Sequence, residues 1–549
     1  MYQPKWKRAL AMALSAIMLS TSLAGCAGSG ETSSSEASSE ASSEAASSEV
    51  SGDTSESGSE EKGENYIADV TVSMFLMDSV DQAISPDLPI IKEITERTGI
   101  KFDFIPGPAT EDQFREKFNV TVASGDIPDI MVSNYRDDML KVAEQGLFAP
   151  LDELIETSAP TFKAILEEHP EYKRDLRASD DQIYFFPFLG AVHTMKTWIV
   201  RKDWCDKLGL PLPNTTDEWY QMLKAFKEND PNGNGEADEI PFTTRHTEAG
   251  MLAFMEAWGL SGYEVTGQFY LDGDQVKYGY IDPLFKEALE YMNKLYSEGL
   301  VDPEYATNDT NVWLSRMTTE VSGACQDTVA RAYSLETSIL AANPDSDVEI
   351  AVVPPPKGPY GDQMTTSQMT DVRGYTAISA QSEYKEEIAK LFDYFYTEEG
   401  SLLNNFGVEG LTYEMVDGKP TYTDAVAKDP QGRALLSMLN IYGHREWAYQ
   451  QDVGYEDALL PDQRFVDYRN DMEQYIVPTV PALSFTDDER EIVNSLFTEI
   501  TTYKDEVVSN FIMGRQSLDE FDSFVETLQS MGIEQVIEVY QTAYDRYIA

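Results

Sequence analysis

The sequence predicts an α/β protein with two lobes that follow a separate N-terminal segment. Two alternations of strand and helix carry this prediction, one beginning at residue 66 and the other near residue 197. Residues 66–549 are also too many for one hydrophobic core, because single cores stop growing at about 250–300 residues. Helical periodicity dominates the last part of the chain, so we expect a second lobe rich in helices.

The first 25 residues have the composition of a secretory signal peptide. Lys5, Lys7 and Arg8 precede an apolar run that ends in small residues before Cys26. That run is shorter than the roughly 20 apolar residues of a membrane-spanning helix. The sequence Leu-Ala-Gly-Cys at its end resembles a bacterial lipobox, which implies cleavage before Cys26 and lipid on its thiol and new amino group. We expect a protein anchored to the extracytoplasmic face of the cell membrane; the alternative is an ordinary signal peptide.

Residues 26–65 have the pattern of an anchor and a linker. From Gly28 onward they are almost entirely Ser, Glu, Ala, Gly and Thr, and the first aromatic residue after them is Tyr66. Such a segment buries too little apolar surface to offset the entropy of ordering, so we predict disorder. A flexible chain of this length spans about 30–35 Å. It would hold the folded part away from the membrane, or act only as a solubilising spacer.

Composition excludes several classes of partner. The formal net charge of −55 argues against nucleic acid and anionic lipid surfaces, since phosphate contacts need clustered Lys and Arg. Hydrophobic residues make up 42% of the chain, as in a well-packed soluble protein. With Cys26 lipidated, only Cys205 and Cys325 remain, and we expect two buried, unpaired thiols, a bridge between them being the alternative. We expect a monomer.

The first alternation begins with a strand in which Val70, Val72, Met74 and Leu76 alternate with other residues. A helix follows over Pro89 to Thr98, and Gly99 ends it. The pattern then predicts a strand, a helix and a third strand, over 101–105, 111–123 and 127–132. Strand and helix in this order favour a largely parallel sheet.

The second alternation predicts a strand at 198–200, a helix at 201–208 and a helix capped by Thr216. Asp282 and Pro283 begin a well-marked helix that stops at Gly299. Later segments with strand or helix character are residues 350–356, 375–379, 388–395, 492–503 and 518–528.

Seven segments of the chain carry a resemblance in their order and spacing: Ala123–Ile130, Tyr184–Pro187, Ile199–Trp204, Thr216–Trp219, Tyr375–Ser379, Thr397–Gly400 and Asn405–Gly410. Together they resemble the family of extracellular solute-binding proteins of carbohydrate ABC importers. The likeness covers roughly residues 66–549.

The resemblance implies a two-lobed periplasmic-binding-protein fold of type II, with a hinge between the lobes and a ligand in the cleft. It implies a sugar or oligosaccharide as ligand, ABC permease subunits and an ATPase as partners, and no bond broken. The expected segments are signal peptide 1–25, anchor and linker 26–65, first lobe 66–195, second lobe 196–320, first-lobe return 321–376 and second-lobe remainder 377–549.

Residues 230–239 read Asp-Pro-Asn-Gly-Asn-Gly-Glu-Ala-Asp-Glu and match the first nine positions of an EF-hand loop. Alternate residues of such a loop point oxygens inward, and Gly235 permits its sharp turn. The loop departs from an EF-hand at position twelve, which is Pro241. It is similar to the calcium loop of alginate-oligosaccharide-binding members of the family. We expect a structural Ca²⁺, the alternative being a turn without metal; the ligands by position are Asp230, Asn232, Asn234, Glu236 through its carbonyl, Asp238 and Glu239.

Sugars are held by aromatic faces and by polar side chains fanned around their hydroxyls. Trp204 and Trp219 lie in amphipathic helical patterns, which favour burial in the core. Asp327 is a candidate because the chain is expected to return to the cleft at this position. Each candidate also has a structural interpretation, as a core aromatic or as one partner of an ion pair. The candidate ligand-binding residues are Tyr184, Trp258, Asp327, Arg373, Glu409 and Trp447.

Enzyme motifs are absent from the sequence. It contains no Gly-x-Ser-x-Gly, His-Glu-x-x-His, phosphate-binding glycine loop or Cys-x-x-Cys, and its four histidines lack ligand spacing. A glycosidase with two carboxylates stays open, because 96 acids always offer some pair. The sequence is also compatible with a glycan-adhesion lipoprotein or a peptide-type solute-binding protein. We predict a binding protein and not an enzyme.

Overall fold

The computed structural model describes residues 63–192, 195–245, 248–261, 269–366, 372–428 and 433–549. The signal, the anchor at Cys26 and most of the linker lie outside these residues. The strands are β1 (Val70–Met77), β2 (Ile100–Gly107), β3 (Ile130–Ser133), β4 (Phe186–Leu189), β5 (Thr197–Arg201), β6 (Ile240–Phe242), β7 (Phe269–Asp272), β8 (Gln275–Tyr278), β9 (Ser322–Asp327), β10 (Ile350–Val353), β11 (Thr365–Thr366), β12 (Val372–Ile378), β13 (Tyr413–Val416), β14 (Lys419–Tyr422) and β15 (Ile476–Val477).

Helices outnumber strands in the same part of the chain. They are α1 (Pro89–Thr98), α2 (Glu111–Ser124), α3 (Arg136–Glu144), α4 (Asp152–Ser158), α5 (Pro160–Glu168), α6 (Pro170–Leu176), α7 (Lys202–Leu208), α8 (Thr216–Glu228), α9 (Glu248–Leu252), α10 (Pro283–Ser297), α11 (Thr310–Thr318), α12 (Val329–Ala342), α13 (Lys385–Tyr396), α14 (Glu398–Phe406), α15 (Asp424–Ala427), α16 (Leu435–Tyr442), α17 (Val453–Ala458), α18 (Gln463–Met472), α19 (Asp487–Ile512), α20 (Phe521–Ser530) and α21 (Ile533–Ile548).

Sheet 1 has five strands in the order β2-β1-β3-β12-β4. The strands β2, β1 and β3 are parallel, as the alternation of strand and helix predicts, whereas β12 runs antiparallel to both of its neighbours. One continuous core surrounds this sheet, and it includes Phe75, Ile130 and Phe392. The carboxyl ends of β1 and β3 therefore meet at one edge of the sheet.

Sheet 2 has four strands in the order β10-β5-β9-β6 and is also mixed. Trp198 and Val200 of β5 face one core, and Ile199 between them faces another. This alternation of faces shows that helices cover both sides of the sheet. Two mixed sheets, one in a single core and the other between two cores, confirm the predicted α/β class.

Local sequence signals explain most element boundaries. Asp282 caps α10, its carboxylate accepting a hydrogen bond from the backbone N–H of Leu284, and Pro283 occupies the first turn as predicted. The cap of α8 is Thr215, not Thr216, because Thr215 and Glu218 form a reciprocal capping box. The predicted strand at 350–356 ends at Val353, since the three prolines after it have no N–H to donate to a sheet.

The chain crosses between the two sheets at different places from those expected. The prediction assigns residues 321–376 to a first-lobe return, but β9 and β10 belong to sheet 2. It assigns residues 377–549 to the second lobe, yet α13 packs into the core of sheet 1. Strand pairing, which depends on contacts distant in sequence, decides these assignments. The bounds of the signal, anchor and linker stay predictions.

The two cysteines inside the described ranges are both free and buried, as predicted. Trp204 and Trp219 are fully buried, which confirms their core interpretation. No helix in this part of the chain is long and apolar enough to cross a bilayer.

Candidate ligand-binding site

A cavity of about 320 Å³ opens at the carboxyl ends of β1 and β3. Ligands of open α/β sheets bind outside the carboxyl ends of strands, and this volume is within the range of small-molecule pockets. The loops after both strands and the end of α16 supply its walls. Its polar and aromatic lining residues are Asp78, Ser79, Asp81, Glu111, Phe114, Ser133, Asn134, Tyr135, Asn440, Arg445 and Glu446.

The loop after β1 is shaped by Asp78. Its Oδ1 accepts hydrogen bonds from the backbone N–H groups of Ser79 (2.8 Å) and Ile84 (3.0 Å), which turns the chain back on itself. Within that turn the Ser79 hydroxyl donates to Oδ2 of Asp81 at 3.2 Å. Because these bonds are local, the loop holds its polar groups in place before any ligand arrives.

Arg445 ties this loop to the segment that follows α16. It is 5% exposed, and its Nη2 donates to Asp78 Oδ1 at 2.9 Å and to the carbonyl of Gln82. Its Nη1 donates to the carbonyl of His444 at 2.6 Å. Burial lowers the pKa of the Arg445 guanidinium, and the nearby Asp78 carboxylate partly reverses that effect. Arg445 therefore positions the cavity wall.

The opposite wall comes from the end of β3 and the start of α2. Tyr135 is half-buried, with its ring 6.4 Å from that of Phe114 and the Arg115 guanidinium 4.7 Å from its centroid. Burial raises the pKa of the Tyr135 hydroxyl. The neighbouring Asn134 is exposed, and across the cavity Nδ2 of Asn440 donates to Asp81 Oδ2 at 3.3 Å. An aromatic ring beside amide and carboxylate groups suits a polyhydroxylated ligand with apolar C–H faces.

None of the six predicted ligand-binding residues lines this cavity. Tyr184, Trp258 and Trp447 are buried, at 8%, 4% and 1% exposure. Tyr184 donates its hydroxyl to Asp180 at 2.8 Å. Trp447 donates its indole N–H to Oδ1 of Asn404 at 2.6 Å and stacks on the ring of Phe395.

The three predicted charged contacts also lie elsewhere. Asp327 is fully buried and bound by Arg245, whose Nε lies 2.5 Å from Oδ2. Arg373 is half-buried, with its guanidinium 4.4 Å from the centroid of the Phe188 ring. Glu409 is exposed and forms an isolated β-bridge with Tyr413. The part these six residues play in binding stays a prediction.

The cavity residues escape sequence reasoning because their individual types are unremarkable. Their signal is positional: Asp78 and Asn134 directly follow β1 and β3, close to the ends of the first and third predicted strands, where the loops of a parallel sheet carry ligands. Arg445 and Asn440 have no such signal, since they reach the cavity from positions more than 300 residues further along the chain.

The predicted calcium loop folds as a tight turn between α8 and β6. Oδ1 of Asp230 accepts hydrogen bonds from the backbone N–H groups of Gly233 (2.7 Å) and Asn234 (3.1 Å). Gly233 and Gly235 have φ of 75° and 79°, a conformation that favours glycine. The amides of Asn232 and Asn234 both point at Asp238.

Glu239 is the buried acid of this loop. It is 1% exposed, and its Oε1 has no hydrogen-bond partner among the described residues. Burial raises the pKa of the Glu239 carboxyl. No group of three or more His, Cys, Asp or Glu side chains in the described ranges converges as a metal site. The predicted donors are all oxygens, the kind of ligand that Ca²⁺ takes, but the three predicted side-chain carboxylates, from Asp230, Asp238 and Glu239, do not form such a group.

The fold and the cavity define a class before any comparison: an α/β protein with a cavity of small-molecule size at the carboxyl ends of parallel strands in a mixed sheet. The model of the bacterial extracellular solute-binding protein family matches residues 83–401. The chain belongs to this family. Its membership confirms the predicted class, a solute-binding protein and not an enzyme.

Two curated relatives match over most of their length. The fructooligosaccharide ABC transporter substrate-binding protein FusA of Streptococcus pneumoniae serotype 4 (strain ATCC BAA-334 / TIGR4) is 26% identical over 492 residues, 84% of this chain and 87% of FusA. Lipoprotein LipO of Bacillus subtilis (strain 168) is 22% identical over 472 residues, 83% of this chain and 88% of LipO.

Solved structures share the fold. The alginate-binding protein AlgQ2 without calcium ion aligns with a TM-score of 0.72 and 28% identity, over 88% of this chain and 100% of AlgQ2. An EF-hand mutant of S. pneumoniae FusA with fructo-nystose aligns with a TM-score of 0.67 and 23% identity, over 87% of this chain and 99% of that one. These matches confirm the predicted periplasmic-binding-protein type of fold.

Proposed function

We propose that this protein captures an oligosaccharide and delivers it to the permease and ATPase of an ABC importer. The cavity at the carboxyl ends of β1 and β3 carries the proposal, because its ring, amides and carboxylates match the surface of a sugar. The relationship to FusA, which is named for fructooligosaccharide transport, supports the same class of ligand.

In this proposal the ligand rests on Tyr135 and is fixed by polar groups around it. Asn134, Asp81 and Asn440 exchange hydrogen bonds with the hydroxyls, while Arg445 keeps the loop after β1 in place. Such contacts fix orientation and provide selectivity, and the ring covers the apolar face of the sugar.

Closure of the second lobe over the cavity would complete the site. The chain passes from sheet 1 to sheet 2 between Leu189 and Thr197, and it returns between Val353 and Val372. Connections of this kind act as hinges that absorb backbone rotation while the lobes stay rigid. A sugar that contacts both lobes then stabilises the closed state by its differential affinity for that state.

The test is titration calorimetry of the full chain with neutral oligosaccharides, comparing Tyr135→Ala with Tyr360→Ala. Tyr360 is 62% exposed and does not line the cavity, so it is a matched control. We expect Tyr135→Ala to weaken binding by about tenfold or more, the equivalent of roughly 1.4 kcal/mol. The site assignment is wrong if both variants bind as the parent does.

The N-terminus is proposed as a lipoprotein anchor at Cys26, the relative LipO being itself a lipoprotein. Cys26→Ala should release the protein from the membrane fraction and abolish incorporation of labelled palmitate. Retention of the label in this variant would contradict the anchor. The folded part is proposed to act as a monomer.

We also propose a structural Ca²⁺ held by Asp230, Asn232, Asn234, the Glu236 carbonyl, Asp238 and Glu239. The buried, unpartnered oxygen of Glu239 supports it. The ion would neutralise the loop's carboxylates and stiffen the link from α8 to β6. Calcium at 100 times its dissociation constant should add about 2.7 kcal/mol to stability.

Thermal denaturation with and without Ca²⁺ tests this site. Glu239→Gln should remove most of the gain, whereas Glu228→Gln, an exposed acid at the end of the preceding helix, should keep it. If the melting temperature of the parent protein does not change with Ca²⁺, the protein has no such site.

A further inference from the structure

We infer that the cavity selects uncharged oligosaccharides and rejects those built from uronic acids. The inference rests on the proposed function, because it names the class of sugar that the same site would take. It starts from the charges that the cavity presents.

The lining is strongly acidic. Among the described lining residues, four carboxylates, from Asp78, Asp81, Glu111 and Glu446, stand against a single cation, Arg445. Glu111 and Glu446 are exposed at the opening, and neither has an ion pair with a described side chain. A carboxylate on the ligand would enter among these like charges.

The guanidinium of Arg445 is buried, and only its Nε, which is itself shielded from solvent, has no hydrogen-bond partner among the described residues. The residue is 5% exposed, and its Nη groups are used by Asp78 and by the carbonyls of Gln82, Asn440 and His444. Recognition of a carboxylate needs an arginine fork or an ammonium that can reach it. This guanidinium is turned into the protein and neutralises Asp78 instead.

Other cations near the cavity are also engaged. Arg115 pairs with Asp138 at 2.8 Å while lying over the Tyr135 ring. Arg373 does not line the cavity, and its guanidinium lies 4.4 Å from the centroid of the Phe188 ring. The sequence of the undescribed internal stretches 193–194, 246–247, 262–268, 367–371 and 429–432 contains neither Lys nor Arg, and the undescribed residues 1–62 contain Lys5, Lys7, Arg8 and Lys62.

Two physical effects then act against an acidic sugar. Inside a partly dry cavity, like charges repel far more strongly than they do in water. The net charge of −55 also lowers the local concentration of anions around the whole protein. An uncharged sugar meets neither effect, and its hydroxyls can donate to the carboxylates.

Titration calorimetry of the full chain tests this selectivity. The neutral probes are kestose, maltotriose, cellotriose and mannotriose, and the acidic probes are trigalacturonate and trimannuronate. We expect the best neutral trisaccharide to bind at least about tenfold more tightly than either acidic one at about 50 mM salt. The difference should shrink at about 500 mM salt, because the Debye length falls from about 14 Å to about 4 Å.

A charge-neutralised variant assigns the effect to the opening of the cavity. Glu111→Gln combined with Glu446→Gln should narrow this affinity difference at least threefold, and Glu414→Gln, an exposed acid outside the cavity, should not. An acidic trisaccharide that binds more tightly than every neutral one overturns the inference and leaves the proposed function standing. If the double variant keeps the parent's ratio of affinities for neutral and acidic trisaccharides, the inference is also overturned. Binding of no sugar contradicts the proposed function itself.

Discussion

Substituting Asp327 by asparagine separates a structural carboxylate from a ligand contact. The side chain is fully buried at the end of β9. It receives two charge-assisted hydrogen bonds from Arg245, at 2.5 and 3.1 Å, and a third from the backbone N–H of Thr328 at 2.8 Å. Asparagine keeps the shape, but it removes the negative charge and turns an N–H₂ group toward the guanidinium.

The size of the change in unfolding free energy depends on the Arg245 guanidinium, which loses its charged partner. Breaking a buried ion pair by removing one partner costs about 3–5 kcal/mol, because the other charge stays desolvated. The Arg245 side chain is 19% exposed and can recover part of its hydration, which favours the lower end of that range. We therefore expect Asp327→Asn to lower the free energy of unfolding by about 3 kcal/mol.

Urea unfolding followed by intrinsic fluorescence measures this change. The cores around sheet 2 contain Trp198, Trp204, Trp219, Trp258 and Trp313, so the signal reports mainly on that lobe. The midpoint should fall while the slope stays constant. An exposed acid serves as control, since surface substitutions usually stay within about 0.5 kcal/mol.

The opposite result would refute the structural interpretation. If Asp327→Asn unfolds at the parent's urea concentration but loses affinity for its sugar, the carboxylate contacts ligand as the sequence predicts. In that case the pairing with Arg245 would be exchangeable for a bond to the ligand.

Two further predictions concern the first lobe. Trp447→Ala should lower the free energy of unfolding by about 3–5 kcal/mol, the usual cost of truncating a buried aromatic side chain. It should leave the sugar affinity of the folded protein unchanged. Urea unfolding measures the first effect and titration calorimetry the second. Burial lowers the pKa of His444 from 6.5 to about 4 in the folded protein. Between pH 6.5 and pH 4 the unfolded state therefore binds more protons than the folded state, so the free energy of unfolding falls as the pH drops through this range. Between about pH 7 and pH 5 the free energy of unfolding should fall by about 2 kcal/mol, and His444→Asn should reduce this dependence on pH. Equal pH dependence of unfolding in parent and variant would contradict the prediction.

Several features could be predicted from residues close together in the sequence. The parallel start of sheet 1 follows from the apolar alternation at Val70–Met77 and the helix that Pro89 begins. The free, buried state of the two cysteines follows from their number. These features depend on local propensity and patterning, which the sequence states directly.

The binding cavity could be predicted only in part. The end of β1 marks Asp78 as a loop residue beside a parallel sheet, but nothing near it in sequence indicates Arg445. Trp258 and Trp447 have polar or glycine neighbours, as exposed aromatics often do, and yet both are buried. Burial depends on which distant elements pack over a side chain, so it is invisible in the residues on either side.

By itself, the sequence determined the α/β class, the first strand and helix of sheet 1, and the oxygen-rich composition of the loop at 230–239, because composition and short-range periodicity act within a few residues. Only the tertiary structure decided which strands share a sheet, where the chain crosses between sheets, and which acids and cations face the cavity. Those outcomes require segments hundreds of residues apart to meet, as Asp78 and Arg445 do, and the energy of such contacts exists only once the chain has folded.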